Sequence, residues 1–334
     1  MQIMSQYIKS CKADYLRITL DIKDIDVQDL ILLNMQGLAC SIAKKSNADL
    51  KQILHPQGGY ELVLRVPLFS ESFNYTTKNE EVANMFIKCS PKASDRKFIA
   101  FELKGHPYKT EQWYCVRLFL EHILTVENYK KYWEEIKITD VHIALGYDLH
   151  LSELLFDKLR ARKTGLYYNQ SEPETVYFQP QNKAMQIAVY DRYTKVRKRG
   201  LNFQPKERTR AELKLGRQTM LLKEFINEHT YLDKFHSLKA YNMQKVKNSQ
   251  ILGKYELLAL QAMGLTPFLC THNAYEKSKI RRSLKPYLIP VTNLIKIKAK
   301  WLKEVKRMKV MDPSTNISNA NQTKFKGRFR DMYL

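Results

Sequence analysis

The sequence predicts an α+β protein: a central, mainly antiparallel sheet built from two related halves, with helices packed behind it, followed by a helical C-terminal region. Three observations predict this. Short runs with period-two alternation recur along the chain, as in residues 15–22 (YLRITLDI) and 208–215 (RTRAELKL). Longer stretches with apolar residues at helical spacing separate them, as where Trp113, Val116, Leu120 and Ile123 recur. Residues 101–105 (FELKG) are echoed by residues 211–216 (AELKLG), which suggests an internal repeat.

Taken in order, the first half of the α+β domain covers residues 1–134. It opens with the strand at 15–22, then a helix over about 27–45 and a strand at 60–66. A polar loop at 70–77, a short helix near 80–86 and a strand at 97–104 follow, the last ended by Gly105, His106 and Pro107. Residues 110–134 read as helix. The second half, 135–230, repeats the order: a strand at 138–147, a helix at 152–161, strands at 175–178, 185–191 and 209–215, and a helix over about 218–228. Strand signals then stop. Residues 231–311 predict a helical region, with helices at 252–263, 274–284 and 291–310 broken by Gly264, Pro267, Pro286 and Pro290. Residues 312–334 are polar and end in KFKGRFRDMYL, which predicts a disordered basic tail whose cations and aromatic rings could hold nucleic acid.

The 334 residues are 44% hydrophobic, enough for a real core. No run approaches the ~18 apolar residues of a membrane span. The opening MQIMSQYIKSCK has no apolar stretch leading to a cleavage site, so the expectation is a cytoplasmic protein with no membrane partner. The five cysteines are scattered without zinc-finger spacing, which argues against a zinc site and against a disulfide framework. Net charge is +22, and it is unevenly spread: residues 191–334 hold 32 Lys and Arg against 11 Asp and Glu. An asymmetry of that size favours an extended polyanion as partner, nucleic acid first.

Chemistry concentrates at residues 175–215. Alternation places Gln186, Ala188, Tyr190 and Arg192 on one side of a strand, and Arg208, Arg210, Glu212 and Lys214 on one side of the next. Between them Lys195, Arg197, Lys198 and Arg199, followed by Gly200, read as a basic hairpin or loop suited to a phosphate backbone. His142 lies on a further strand. An imidazole and a carboxylate can hold Mg²⁺ or Mn²⁺, and a phenol beside the metal can attack a phosphodiester. The region 252–288 could contain a helix-turn-helix with Gly264 in its turn and Lys277, Lys279, Arg281 and Arg282 on a basic helix.

Residues 138–145 (ITDVHIAL), 175–178 (TVYF), 187–192 (IAVYDR) and 210–215 (RAELKL) together resemble the core of rolling-circle replication initiators of the filamentous-phage and Rep_trans-type plasmid families. Those families have a T-R-I-D-I-A strand, a T-V-Y strand, an I-Y-D-K strand and an R-x-E-L-x-L strand; the likeness covers roughly residues 97–230. The resemblance implies a metal-dependent endonuclease that nicks one strand at an origin and stays joined to the 5′ phosphate through tyrosine. It implies Tyr190 as nucleophile, Arg210 and Arg192 on the phosphates, and Glu212 as a ligand of Mg²⁺ or Mn²⁺. The sequence departs from the family at Asp140, where Arg is usual, and at His142, where Asp is usual. His142 is then the expected second ligand, with Asp140 or Asp148 as substitutes. Tyr193 becomes a rival nucleophile if the strand ends at Asp191.

The expected nucleic-acid contacts are Lys195, Arg197, Lys198, Arg199, Arg208, Lys214, Arg281 and Arg282. The expected partners are origin DNA, single-stranded or cruciform at the nick, with host replication proteins and a second copy of the chain as further candidates. Two other readings differ in class. One is a DNA-binding regulator without turnover, favoured by the exchange at His142, and the other is an RNA-binding protein using strand-borne Tyr and Arg.

Overall fold

The computed structural model describes residues 8–334 apart from 55–58, 70–82, 93–96, 105–107, 160, 162, 170–171, 180–183, 199, 201–203 and 290–292. Among the described residues the strands are, in chain order, β1 Ile8–Asp21, β2 Tyr60–Pro67, β3 Asn84–Pro91, β4 Phe98–Lys104, β5 Lys137–Tyr147, β6 Leu154–Lys158, β7 Thr164–Asn169, β8 Glu172–Phe178, β9 Met185–Asp191, β10 Thr209–Leu215, β11 Met220–Leu221, β12 Leu238–Asn242 and β13 Leu288–Ile289. Ten of them form a large, mainly antiparallel sheet, while β6, β12 and β13 form a second one, so the chain is α+β.

Two compact units divide the chain, and neither is continuous in sequence. One comprises residues 13–141, 217–228 and 303–334; the other comprises 1–12, 142–216 and 229–302. This differs from the expected consecutive division at 134, 230 and 311, because β5 runs through the boundary and the last helix folds into the first unit.

In the first unit β2, β3, β4 and β1 lie side by side, all antiparallel. The helix Ile25–Ser46 begins where Asp24 accepts hydrogen bonds from the amides of Asp26 and Val27. It buries Val27, Ile31, Met35, Leu38 and Ile42, a stripe at spacings of three and four. The helix predicted near residues 80–86 is not one: Asn84–Phe86 belong to β3, and residues 80–82, like the polar loop at 70–77, lie outside the described residues. The expected disordered tail is also corrected. Asn319–Tyr333 is a helix whose Phe329 and Tyr333 are buried. Phe329 stacks edge-on against Phe119, and the Tyr333 hydroxyl donates to the Pro67 carbonyl at 2.7 Å. Its aromatic residues therefore fill a core instead of waiting for bases.

In the second unit the order is β5, β10, β9, β8, β7. Each half of the sheet thus follows one rule: the opening strand pairs with the closing one, β1 with β4 and β5 with β10, and the others follow in reverse. The FELK and AELK echoes occupy these closing strands, β4 and β10. The helix predicted at 152–161 is instead a turn, Leu151–Glu153, followed by β6. All five β6 residues are buried, a two-sided burial that a short apolar run satisfies as a strand and that helical spacing cannot foresee.

Strand structure also continues past residue 230. β12 pairs with β6 and β13, and helices Lys254–Met263, Leu265–Cys270 and Ala274–Leu284 pack over a core that includes Leu155, Tyr241, Leu260, Phe268 and Leu284. Gly264 adopts φ +79° at the junction of the first two of these helices, a left-handed conformation that favours glycine.

Candidate functional site

The candidate site lies on one face of β5, β9 and β10. Antiparallel partners project to the same side, and here Tyr190 is opposite Arg210, Ala188 opposite Glu212 and Gln186 opposite Lys214. The other face carries Ile187, Val189, Ala211, Leu213 and Leu215, all buried. Alternation therefore sorts reactive from apolar side chains as the sequence predicts. From β5, His142 Nδ1 lies 3.0 Å from Glu212 Oε1. Tyr190, Arg210, Glu212 and His142 thus share a face, with Tyr190 and Glu212 at the diagonal offset of roughly 7–8 Å between strand neighbours.

Around Tyr190 the charge is mainly positive. Lys195 Nζ stands 3.8 Å from the centre of the Tyr190 ring. Glu207 accepts a 2.7 Å hydrogen bond from Arg210 Nη2, and Lys12 Nζ is 3.9 Å from the same carboxylate. Burial alone would raise the Glu207 pKa, but Arg210, Lys12 and Arg192 outweigh it and hold the carboxyl below its ordinary value. Gly146 makes room for this arrangement: a Cβ there would come 2.9 Å from Glu207 Cγ and 2.5 Å from Ser10 Oγ. Sequence reasoning missed Glu207 and Lys12. A carboxylate three residues before Arg210 was the available signal for the first; nothing local marked the second.

The expected basic loop is a helix, Arg192–Lys198. Asp191 starts it by accepting from the Thr194 amide at 2.6 Å, a capping signal that was present in the sequence. Its consequence is direct. Because β9 ends at Asp191, Tyr193 is no longer set by strand alternation and stands as the rival to Tyr190. Tyr190 is 3% exposed, whereas Tyr193 is half-buried.

The other expected residues are dispersed. Asp140, two residues before His142 on β5, has its carboxylate engaged 3.7 Å from Arg17, and Asp148 pairs with Lys9 at 3.2 Å. Lys198 pairs with Glu174 at 2.5 Å, Arg208 meets the His150 ring, and Arg197 is exposed. Arg199 lies outside the described residues. Arg281 is held by the fully buried Asp157 at 3.1 Å, which ties it to the fold, and Arg282 is exposed on the same helix.

For a divalent ion the site offers one imidazole and one carboxylate within hydrogen-bond distance of each other. Among the described residues no group of three or more His, Cys, Asp or Glu gathers as a metal cluster. Of these two donors the carboxylate is of the type that Mg²⁺ and Mn²⁺ take, whereas imidazole is the more usual ligand of softer divalent ions. Compared with known proteins, the chain matches no family model and no curated protein.

Proposed function

We propose that this protein initiates rolling-circle DNA replication by nicking and rejoining one DNA strand through a tyrosine. One observation carries the reading: Tyr190, Arg210, Glu212 and His142 share one sheet face beside a surplus of cations. In the proposed step the Tyr190 oxygen, having lost its proton, forms a bond to phosphorus and the bond from phosphorus to the 3′ oxygen breaks. The 5′ phosphate stays on tyrosine and the freed 3′ hydroxyl primes synthesis. Glu212 and His142 would hold Mg²⁺ or Mn²⁺, which when bound polarises the phosphodiester. Arg210, fixed by Glu207, and Arg192 would bind the non-bridging oxygens.

Origin DNA, single-stranded or extruded as a cruciform, is the proposed substrate, and the cytoplasm the proposed location. No helix among the described residues is long and apolar enough to cross a membrane. Host replication proteins and a second copy of the chain are proposed as further partners.

The test is incubation of the protein with end-labelled single-stranded oligonucleotides from the replicon that encodes it, with Mn²⁺, followed by a denaturing gel. A covalent protein–DNA band is expected. The near-complete burial of Tyr190 beneath Lys195 supports a second reading, a DNA-binding regulator without turnover. That reading takes over if the oligonucleotides bind but no band forms with either Mg²⁺ or Mn²⁺.

A further inference from the structure

Beyond the reacting groups, the same sheet face carries an aromatic surface that the chemistry above does not use. Tyr167 on β7 is opposite Thr175 on β8, and Thr175 is opposite Tyr190 on β9. Partners across a ladder share a face, so Tyr167 lies on the side of Tyr190, two strands away, at about 10 Å. Tyr177, opposite Ala188 in the neighbouring row, belongs to the same side. Two contacts agree with that placement. The Tyr167 and Tyr177 rings meet edge to face at 5.5 Å, and Lys214 Nζ lies 6.0 Å from the Tyr177 ring.

Tyr167 is 56% exposed, yet its orientation is fixed from one side by Tyr177. A ring held that way presents a flat apolar surface at little cost in side-chain freedom. Lys214, on the same face, supplies positive charge at the Tyr177 side of the pair, 6.0 Å from that ring and 4.0 Å from the Glu212 carboxylate. The pairing of an oriented ring with a cation is what a nucleobase and its phosphate need together, and every base has a face that can stack. A protein strand added to the edge of β7 would use backbone groups and would not need this ring.

We propose that Tyr167 and Tyr177, with Lys214, form a stacking platform for single-stranded DNA, receiving unpaired bases that flank the phosphate at Tyr190. The proposal rests on the nicking reading for its direction along the strand, but binding tests it separately. Fluorescence anisotropy with a labelled oligo-dT strand, without metal, compares wild type with Tyr167→Ala and Tyr167→Phe. Tyr167→Ala should weaken binding about ten-fold. Tyr167→Phe, which keeps the ring, should bind within about two-fold of wild type. Unchanged affinity in Tyr167→Ala overturns the platform, as does an equal loss in Tyr167→Phe. An oligo-U strand whose binding alone responds to Tyr167→Ala also overturns it, because the ligand would then be RNA. A thermal melt should be unaltered by either substitution; a shifted melt is resolved by Lys214→Gln, which must weaken oligo-dT binding if the platform exists. A platform that binds in a protein that never nicks would leave this inference standing and remove the nicking one. Nicking with no effect of Tyr167→Ala on binding would do the reverse.

Discussion

Glu207 and Arg210 form a 2.7 Å ion pair between side chains that are both nearly excluded from solvent. Arg210 is also the cross-strand partner of Tyr190, so one carboxylate fixes a guanidinium on the strand opposite the candidate nucleophile.

The pair makes stability pH-dependent with a definite sign. The Glu207 pKa is depressed in the folded protein, so its contribution is present above the ordinary carboxylate value of 4.5 and is lost as pH falls through the folded value. Glu207→Gln should cost about 1–3 kcal/mol at pH 7 and much less in acid. Urea melts of both proteins at a series of pH values check this; parallel curves down to acid pH would refute it.

Gly146→Ala should act through the same carboxylate. The new methyl group would meet Glu207 and Ser10 inside ordinary contact distance, so a loss of about 1–3 kcal/mol is expected. Combining it with Glu207→Ala should cost less than the sum of the two single changes, since removing Cγ relieves one clash. Additive losses in a double-mutant cycle would break the link.

Tyr190→Phe should fold and bind DNA but give no covalent band, because it removes only the attacking oxygen. Tyr193→Phe should retain the band. The reverse pattern assigns the nucleophile to the helix that follows β9. Lys195→Ala, which uncovers the Tyr190 ring, should raise the rate of adduct formation if burial limits it.

The C-terminal helix should be indispensable. Tyr333→Ala removes a buried ring and the hydroxyl that bonds Pro67 and Phe69, with an expected cost of about 3–5 kcal/mol. Chemical denaturation measures it; a change below about 1 kcal/mol would mean that the helix end contributes little.

The charge asymmetry cannot be examined by deleting residues 191–334, since that would remove β10 and the last helix of the first unit. Single neutralisations can do so. Each of Lys195→Gln, Arg197→Gln and Lys214→Gln should lower the salt slope of DNA binding by about one, if its cation meets a phosphate.

The sequence by itself determined the strands of the site and the two faces of each, because period-two alternation is a local property: Arg210 sorts with Glu212, and Tyr190 with Ala188 and Gln186, by counting alone, while the pairing of β9 with β10 brings the two sets to one side. It also revealed the repeat, since FELK and AELK occupy corresponding strands. The tertiary structure decided what those corresponding glutamates do. Glu102 in β4 is neutralised by Lys88 at 2.8 Å, whereas its counterpart Glu212 in β10 faces His142. Neighbours brought from other strands set that difference, and no window of sequence contains them. The same reason explains β6 and the last helix. Leu154–Lys158 and Phe329 with Tyr333 are ambiguous locally, and only the partners that bury them, β12 for the first and Phe119 and Pro67 for the second, select strand in one case and packed helix in the other.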